Sequence, residues 1–192
     1  MSKILETSTT AKGVVYAIAT KVIEDFQNSE IAKGESNDCV VRAVAVAFDT
    51  NYDEAHRWVK RAFGRKDKKG TRGFHQAMAK RKGGLGKTIE EIGDDWKGGL
   101  KRPSTYYNNS TKKLAERTYP GEIIDTFDSP KGEMNKVRRA MTLGTFLETH
   151  TEGTFIVQVS KHAFAIKDGV VVGNPEDGFK VKTRIQAAFK IS

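Results

Sequence analysis

The stretch CVVRAVAVAF, residues 39 to 48, constrains this chain more than any other. Val40, Val41, Ala43, Val44, Ala45, Val46, Ala47 and Phe48 are apolar, and only Arg42 interrupts them. A β-strand competes for so valine-rich a run, but the interleaved alanines and the length favour a helix. A helix that is apolar on nearly every side belongs in the middle of a fold. The other elements are read around it.

Val15, Ile18, Ala19, Val22, Ile23 and Phe26 recur at three- and four-residue steps, which predicts a helix over 11–28 with Thr10 as its cap, within an N-terminal arm spanning 1–35. DTNYDEAHRWVKRAF predicts a helix with Ala55, Trp58, Val59, Ala62 and Phe63 inward. Asn51 or Thr50 would cap it, and Asp53 and Glu54 suit its first turn. Residues 64 to 135 read as a basic, loop-rich insertion or lid, with short helices at 73–81 and near 110–117 and some short strands. TLGTFLETH then predicts a short capped helix, with Leu143, Phe146 and Leu147 inward. GTFIVQVS, HAFAIKDG, VVVGN and FKVKTRIQAAFKI read as successive strands, and Asp168-Gly169 as a tight hairpin. Helices first and an antiparallel sheet last predict an α+β fold, and 192 residues suffice for one domain, 1–192.

Net charge is +9, yet residues 60 to 88 alone hold eleven Lys or Arg against one Asp, a balance of +10. Within that block Arg65, Lys66, Lys68, Lys69, Arg72, Lys80, Arg81 and Lys82 are candidates for binding nucleic acid or an acidic protein. The competing reading is a solvated loop, because only Phe63 and Phe74 offer aromatic faces for bases. No apolar run approaches the ~18 residues of a membrane span, so no membrane partner is expected. A single cysteine forms no internal disulfide, which points to a reducing, cytoplasmic setting, of a cell or of an infected host. MSKILETSTT lacks the apolar core of a signal peptide. GGLGKT at 83–88 has Arg81 where a phosphate loop needs glycine, and one cysteine builds no structural zinc site, so no cofactor or metal is expected.

The single cysteine opens the apolar helix. A helix N-terminus favours thiolate, and a nearby imidazolium favours it further. Alone, Cys39 is as well read as a small hydrophobe, and Asn37 or Asp38 as an ordinary helix cap. Of the four histidines, His56 lies on a charged helix, His75 in the basic block and His150 at a helix end. His162 opens a strand, where a histidine can face the start of a buried helix.

NDCVVRAVAVAFDTNYDEAHRWV together with TLGTFLETHTEGTFIVQVSKHAFAIKDGVVV resembles the papain-like cysteine peptidase superfamily. The resemblance is to its small phage and bacterial members, akin to bacteriocin-processing peptidases, and covers about a third of the chain. It implies a central helix starting at the cysteine and packed on a C-terminal antiparallel sheet. It implies a peptidase or isopeptidase acting on protein or peptide, with Cys39 as nucleophile, His162 as base and a third residue orienting the ring. Asn174 meets His162 if KDG is a three-residue bulged loop. A two-residue loop shifts the register by one and puts Asn174 on the other face, leaving Asp177 as fallback and Asp168 as a turn residue. The superfamily's oxyanion glutamine falls on Lys33, so Asn37 is the nearest amide. The alternative is a papain-fold binding protein without catalysis, such as a phage factor.

Overall fold

A computed structural model describes residues 4–9, 15–19, 26–92, 101–108, 122–130, 132–172 and 180–192. In chain order these form β1 (Ile4–Thr9), β2 (Val15–Ala19), α1 (Glu30–Gly34), α2 (Cys39–Ala47), α3 (Tyr52–Phe63) and α4 (Phe74–Ala79). There follow β3 (Gly83–Gly84), β4 (Lys87–Glu91), β5 (Lys101–Asn108), β6 (Glu122–Ser129), β7 (Gly132–Ala140) and α5 (Leu143–Thr149). The last strands are β8 (Thr154–Val159), β9 (His162–Lys167), β10 (Val170–Val172) and β11 (Ile185–Ile191). Among the described residues no helix is long and apolar enough to cross a membrane.

The architecture is α+β. One sheet has the order β1-β2-β10-β9-β8-β11-β4-β3. From β10 to β3 every pairing is antiparallel, while β2 joins β10 in parallel. Side chains alternate across it. Ile156, Ala163, Ala165, Ala187, Phe189 and Ile191 pack with α2, α3 and α4 on one face. Phe155, Val157, Val159, Phe164 and Ile166 pack with Leu143, Phe146 and Leu147 of α5 on the other. The alanines at 163 and 165 are what let α2 lie closely on β9, since a strand presenting only small side chains admits a helix backbone. Val41, Val44 and Ala47 of α2 are wholly buried, as a helix apolar on nearly all sides requires.

Local signals set several element ends, the two helix starts among them as expected. The Asn51 side chain accepts from Glu54 N at 2.9 Å and starts α3, and Gly64, at φ 64, ends it. Thr142 caps α5 by accepting from Thr145 N at 3.2 Å.

Three expectations are corrected. The helix over 11–28 is not formed: Val15–Ala19 is a strand, paired to β1 and, through Ile18 and Ala19, to Val171 and Val172. Three- and four-residue apolar steps fit either structure over so short a span, and the open edge of β10 supplies a partner that decides for the strand. Within 64–135, the helix at 73–81 forms as α4, but β5, β7 and β6 form a three-stranded antiparallel sheet where loops and short strands were expected. Their charged segments, such as KVRRA, lack the alternation that marks a strand with one buried face. Pro103 fits because β5 is an edge strand with a register shift at Pro103/Thr105. The helix expected near 110–117 lies outside the described residues. Finally, Lys167 pairs with Val170, so Asp168 (φ 47) and Gly169 (φ 74) make a two-residue turn, not the bulged three-residue loop. Two consecutive left-handed residues match the twist of the flanking strands.

Candidate active site

A cleft of about 840 Å³ opens at the N-terminal end of α2. Cys39, half-buried, lines it, and so does His162, the first residue of β9. Packing of α2 along β9 brings these distant positions to one cavity. Strand parity gives His162 the face of Phe164, whose ring lies 6.0 Å away, but at the strand's first position its ring also borders the cleft. Among the described residues no hydrogen bond joins Cys39 Sγ to the imidazole, and catalytic contacts often tighten only on substrate binding. The remaining histidines are engaged elsewhere: His56 beside Glu35, His75 Nε2 at 2.8 Å from Glu91, and His150 stacked on Phe146.

The start of α2 is unusual. Asp38 holds the N-cap position but makes no side-chain cap. Its carboxylate instead accepts from Arg42 Nε, at 3.0 Å to each oxygen, and from Tyr52 Oη at 2.8 Å. Burial, then the Asp38 carboxylate beside it, raises the Tyr52 hydroxyl far above its ordinary range, so it remains a donor. Asn37, exposed at φ 53, donates only to Ser36 Oγ, at 3.5 Å. Neither residue is the side-chain cap that their types suggest, and among the described residues the first backbone N–H groups of α2 have no side-chain acceptor. Lys33, at the superfamily's glutamine position, is exposed and paired to Glu30.

The facing wall is the segment after α3, held by buried charge. Arg65 donates from Nη2 to Glu35 Oε2 at 2.8 Å and to Ser36 O at 3.2 Å. Lys68 N donates to the same carboxylate oxygen at 2.8 Å, and His56 Nε2 lies 3.1 Å from Glu35 Oε1. Burial alone would raise the Glu35 carboxyl; the Arg65 bond, the Lys68 amide and the His56 contact overrule it and bring it to about 2. Glu35, His56 and Asp67 bring one potential ligand atom each within 4.8 Å of one another. However, Arg65 Nη1 sits 3.2 Å from His56 Nε2, so a cation would meet a guanidinium at once. The cluster is an ion-pair network that ties residues 65–68 to the segment entering α2.

This network corrects the basic-block expectation for two of its members. Arg65 has a fully buried side chain whose charge is already paired with Glu35, so it is not the free surface charge expected, although its Nε is left without a partner among the described residues. Arg81 donates to Ala62 O at 2.7 Å and lies over the Trp58 and Phe63 rings. The others separate: Lys66, Lys69 and Arg72 line the cleft, while exposed Lys68, Lys80 and Lys82 do not. Asp168 serves the turn, accepting from Gly153 N at 2.8 Å. Asn174 and Asp177 lie outside the described residues, and the two-residue turn removes the register argument that favoured Asn174.

Sequence reasoning missed Gln158, Thr71 and Lys161 as cleft residues. Gln158 pairs across the sheet with Ala163 and shares the α2-facing side with Ile156. A glutamine interrupting the apolar strand TFIVQV, next to the histidine strand, was the available signal. Thr71 and Lys161 carried none, because only the folded chain brings them to the cleft.

The described residues thus define an α+β chain whose one cysteine and one strand-end histidine share a cleft. Comparisons with known protein families, with curated proteins and with solved structures find no match.

Proposed function

We propose that the chain is a papain-like cysteine hydrolase, a peptidase or isopeptidase. The observation that carries this reading is the meeting of Cys39 and His162 at one cleft, at the start of a buried helix and the start of its neighbouring strand. The uncapped N–H groups of α2 support it, because a helix start favours both a thiolate and a developing oxyanion.

The chemistry runs as follows. The imidazole of His162 takes the thiol proton, and Cys39 Sγ forms a bond to the substrate carbonyl carbon. The oxyanion collapses, the C–N bond breaks, and the departing amine takes the proton back from the imidazolium. Water then attacks the thioester, giving one proton to His162, and the Cys39 sulfur leaves and is reprotonated. Backbone N–H groups at the start of α2, with Asn37 beside them, stabilise the oxyanion. A third residue orienting the ring is part of this proposal, and with the two-residue turn at 168–169 Asp177 is its remaining candidate.

Alkylation with iodoacetamide across pH tests the pair. A paired thiol reacts well below the ordinary thiol range of about 8.5, and His162→Ala moves the reactive form up toward that value. An ordinary titration in both proteins sinks the reading. Cys39→Ala should abolish turnover and leave the fold intact.

A second reading, a papain-fold binding protein without catalysis, is favoured by the exposed lysines and arginine on the cleft rim. It predicts ligand binding that survives loss of Cys39 together with an ordinary thiol.

A further inference from the structure

The charges around the cleft do not cancel. Among the described residues lining it, Asp38 is the one carboxylate, and Arg42 and Tyr52 already occupy that group. Lys66, Lys69, Arg72 and Lys161 line the same cavity, are exposed, and have no ion pair among the described residues. Walls of low dielectric focus such a field inward, so the cavity attracts anions.

The uncharged groups point the same way. Arg65 Nε, Thr71 Oγ1 and Gln158 Oε1 are buried without hydrogen-bond partners among the described residues, and all three residues line the cleft. A buried polar group left unpaired is costly, so groups of this kind mark where a ligand bonds. They form a mixed set: a guanidinium donor, a hydroxyl and an amide acceptor. A carboxylate answers the first two. A backbone N–H answers the third. Nucleic acid fits less well, because among the described lining residues Phe26, Phe74 and Phe164 are buried and Arg81 already lies over the remaining phenyl ring, Phe63.

We propose that the cleft binds an acidic peptide, with Asp or Glu side chains close to the bond presented to Cys39. Lys66, Lys69 and Arg72 take its carboxylates on one wall, Lys161 takes them near the histidine, and Gln158 Oε1 accepts from the peptide backbone. Calling this peptide a substrate rests on the hydrolase reading above; its binding does not.

The test is fluorescence anisotropy on the full-length Cys39→Ala protein. The probes are a short fluorescein-labelled Glu-rich peptide, its Gln counterpart and an oligothymidylate of equal length. At low salt the Glu peptide should bind roughly tenfold or more tighter than the Gln peptide, an advantage that shrinks as salt screens the charges. Lys66→Glu combined with Lys69→Glu should erase that preference, while Lys180→Glu combined with Lys182→Glu should keep it. Equal affinity for the two peptides overturns the proposal, as does no binding of either, or tighter binding of the oligonucleotide. Because no turnover is read, failure here with a low-pH thiol leaves a hydrolase of other substrates. Success here with an ordinary thiol leaves an acidic-peptide binding protein.

Discussion

The two walls of the cleft are built from opposite materials. The α2–β9 wall is mostly apolar: valines of α2 lie on Ala163 and Ala165, with Cys39, His162 and the Asp38–Arg42 ion pair at its mouth. The 65–72 wall is held by Glu35, Arg65 and His56, a charged group taken out of water. The first kind of contact tolerates pH and salt and punishes changes of volume. The second tolerates neither the loss of a single partner nor acid.

The largest effect that would break this contrast is on the charged side. Arg65→Met should destabilise the fold by about 3–5 kcal/mol in urea denaturation, because it strands a buried carboxylate. Pairing it with Glu35→Leu should restore most of the loss, since an apolar pair of similar size needs no solvation. If the single change proves mild, the network is more hydrated than its burial indicates. Acid should read the same network. The Glu35 carboxyl is held at about 2 against 4.5, so its contribution is whole above pH 4.5 and is lost as pH falls toward 2. That contribution is on the order of 3 kcal/mol and should be missing from the acid denaturation curve of Glu35→Gln. On the apolar side, Ala165→Leu should cost about 1–3 kcal/mol by pushing α2 off the sheet, equally at pH 7 and pH 4. A pH-dependent cost there would remove the distinction between the walls. The smallest expected effect sharpens the picture of the basic block. Lys80→Glu with Lys82→Glu, off the cleft lining, should change acidic-peptide affinity less than about twofold, far below the same reversal at Lys66 and Lys69.

Legibility followed the same division. The run at 39–48 announced its burial because covering every side of a helix leaves one place for it. Asn51 and Thr142 marked helix starts because caps act within a few residues. The strand at 15–19 was misread because its pairing partner, β10, lies far along the chain. The hairpin at 168–169 was placed correctly, but its register was not. A two-residue and a three-residue turn can share the same Asp-Gly, and only the paired strands choose between them. Arg65 looked like its exposed neighbours, since composition cannot show that folding sets Glu35 against it.

Periodicity and capping, which act over a few residues, were enough by themselves to settle the buried helix, the late strands and the α+β class. The tertiary structure alone decided which charges are spent inside and which face the cleft. It also decided that a thiol and an imidazole from distant segments would share one cavity. Burial and ion pairing depend on neighbours that only the fold supplies, and no local pattern along the chain encodes who those neighbours are.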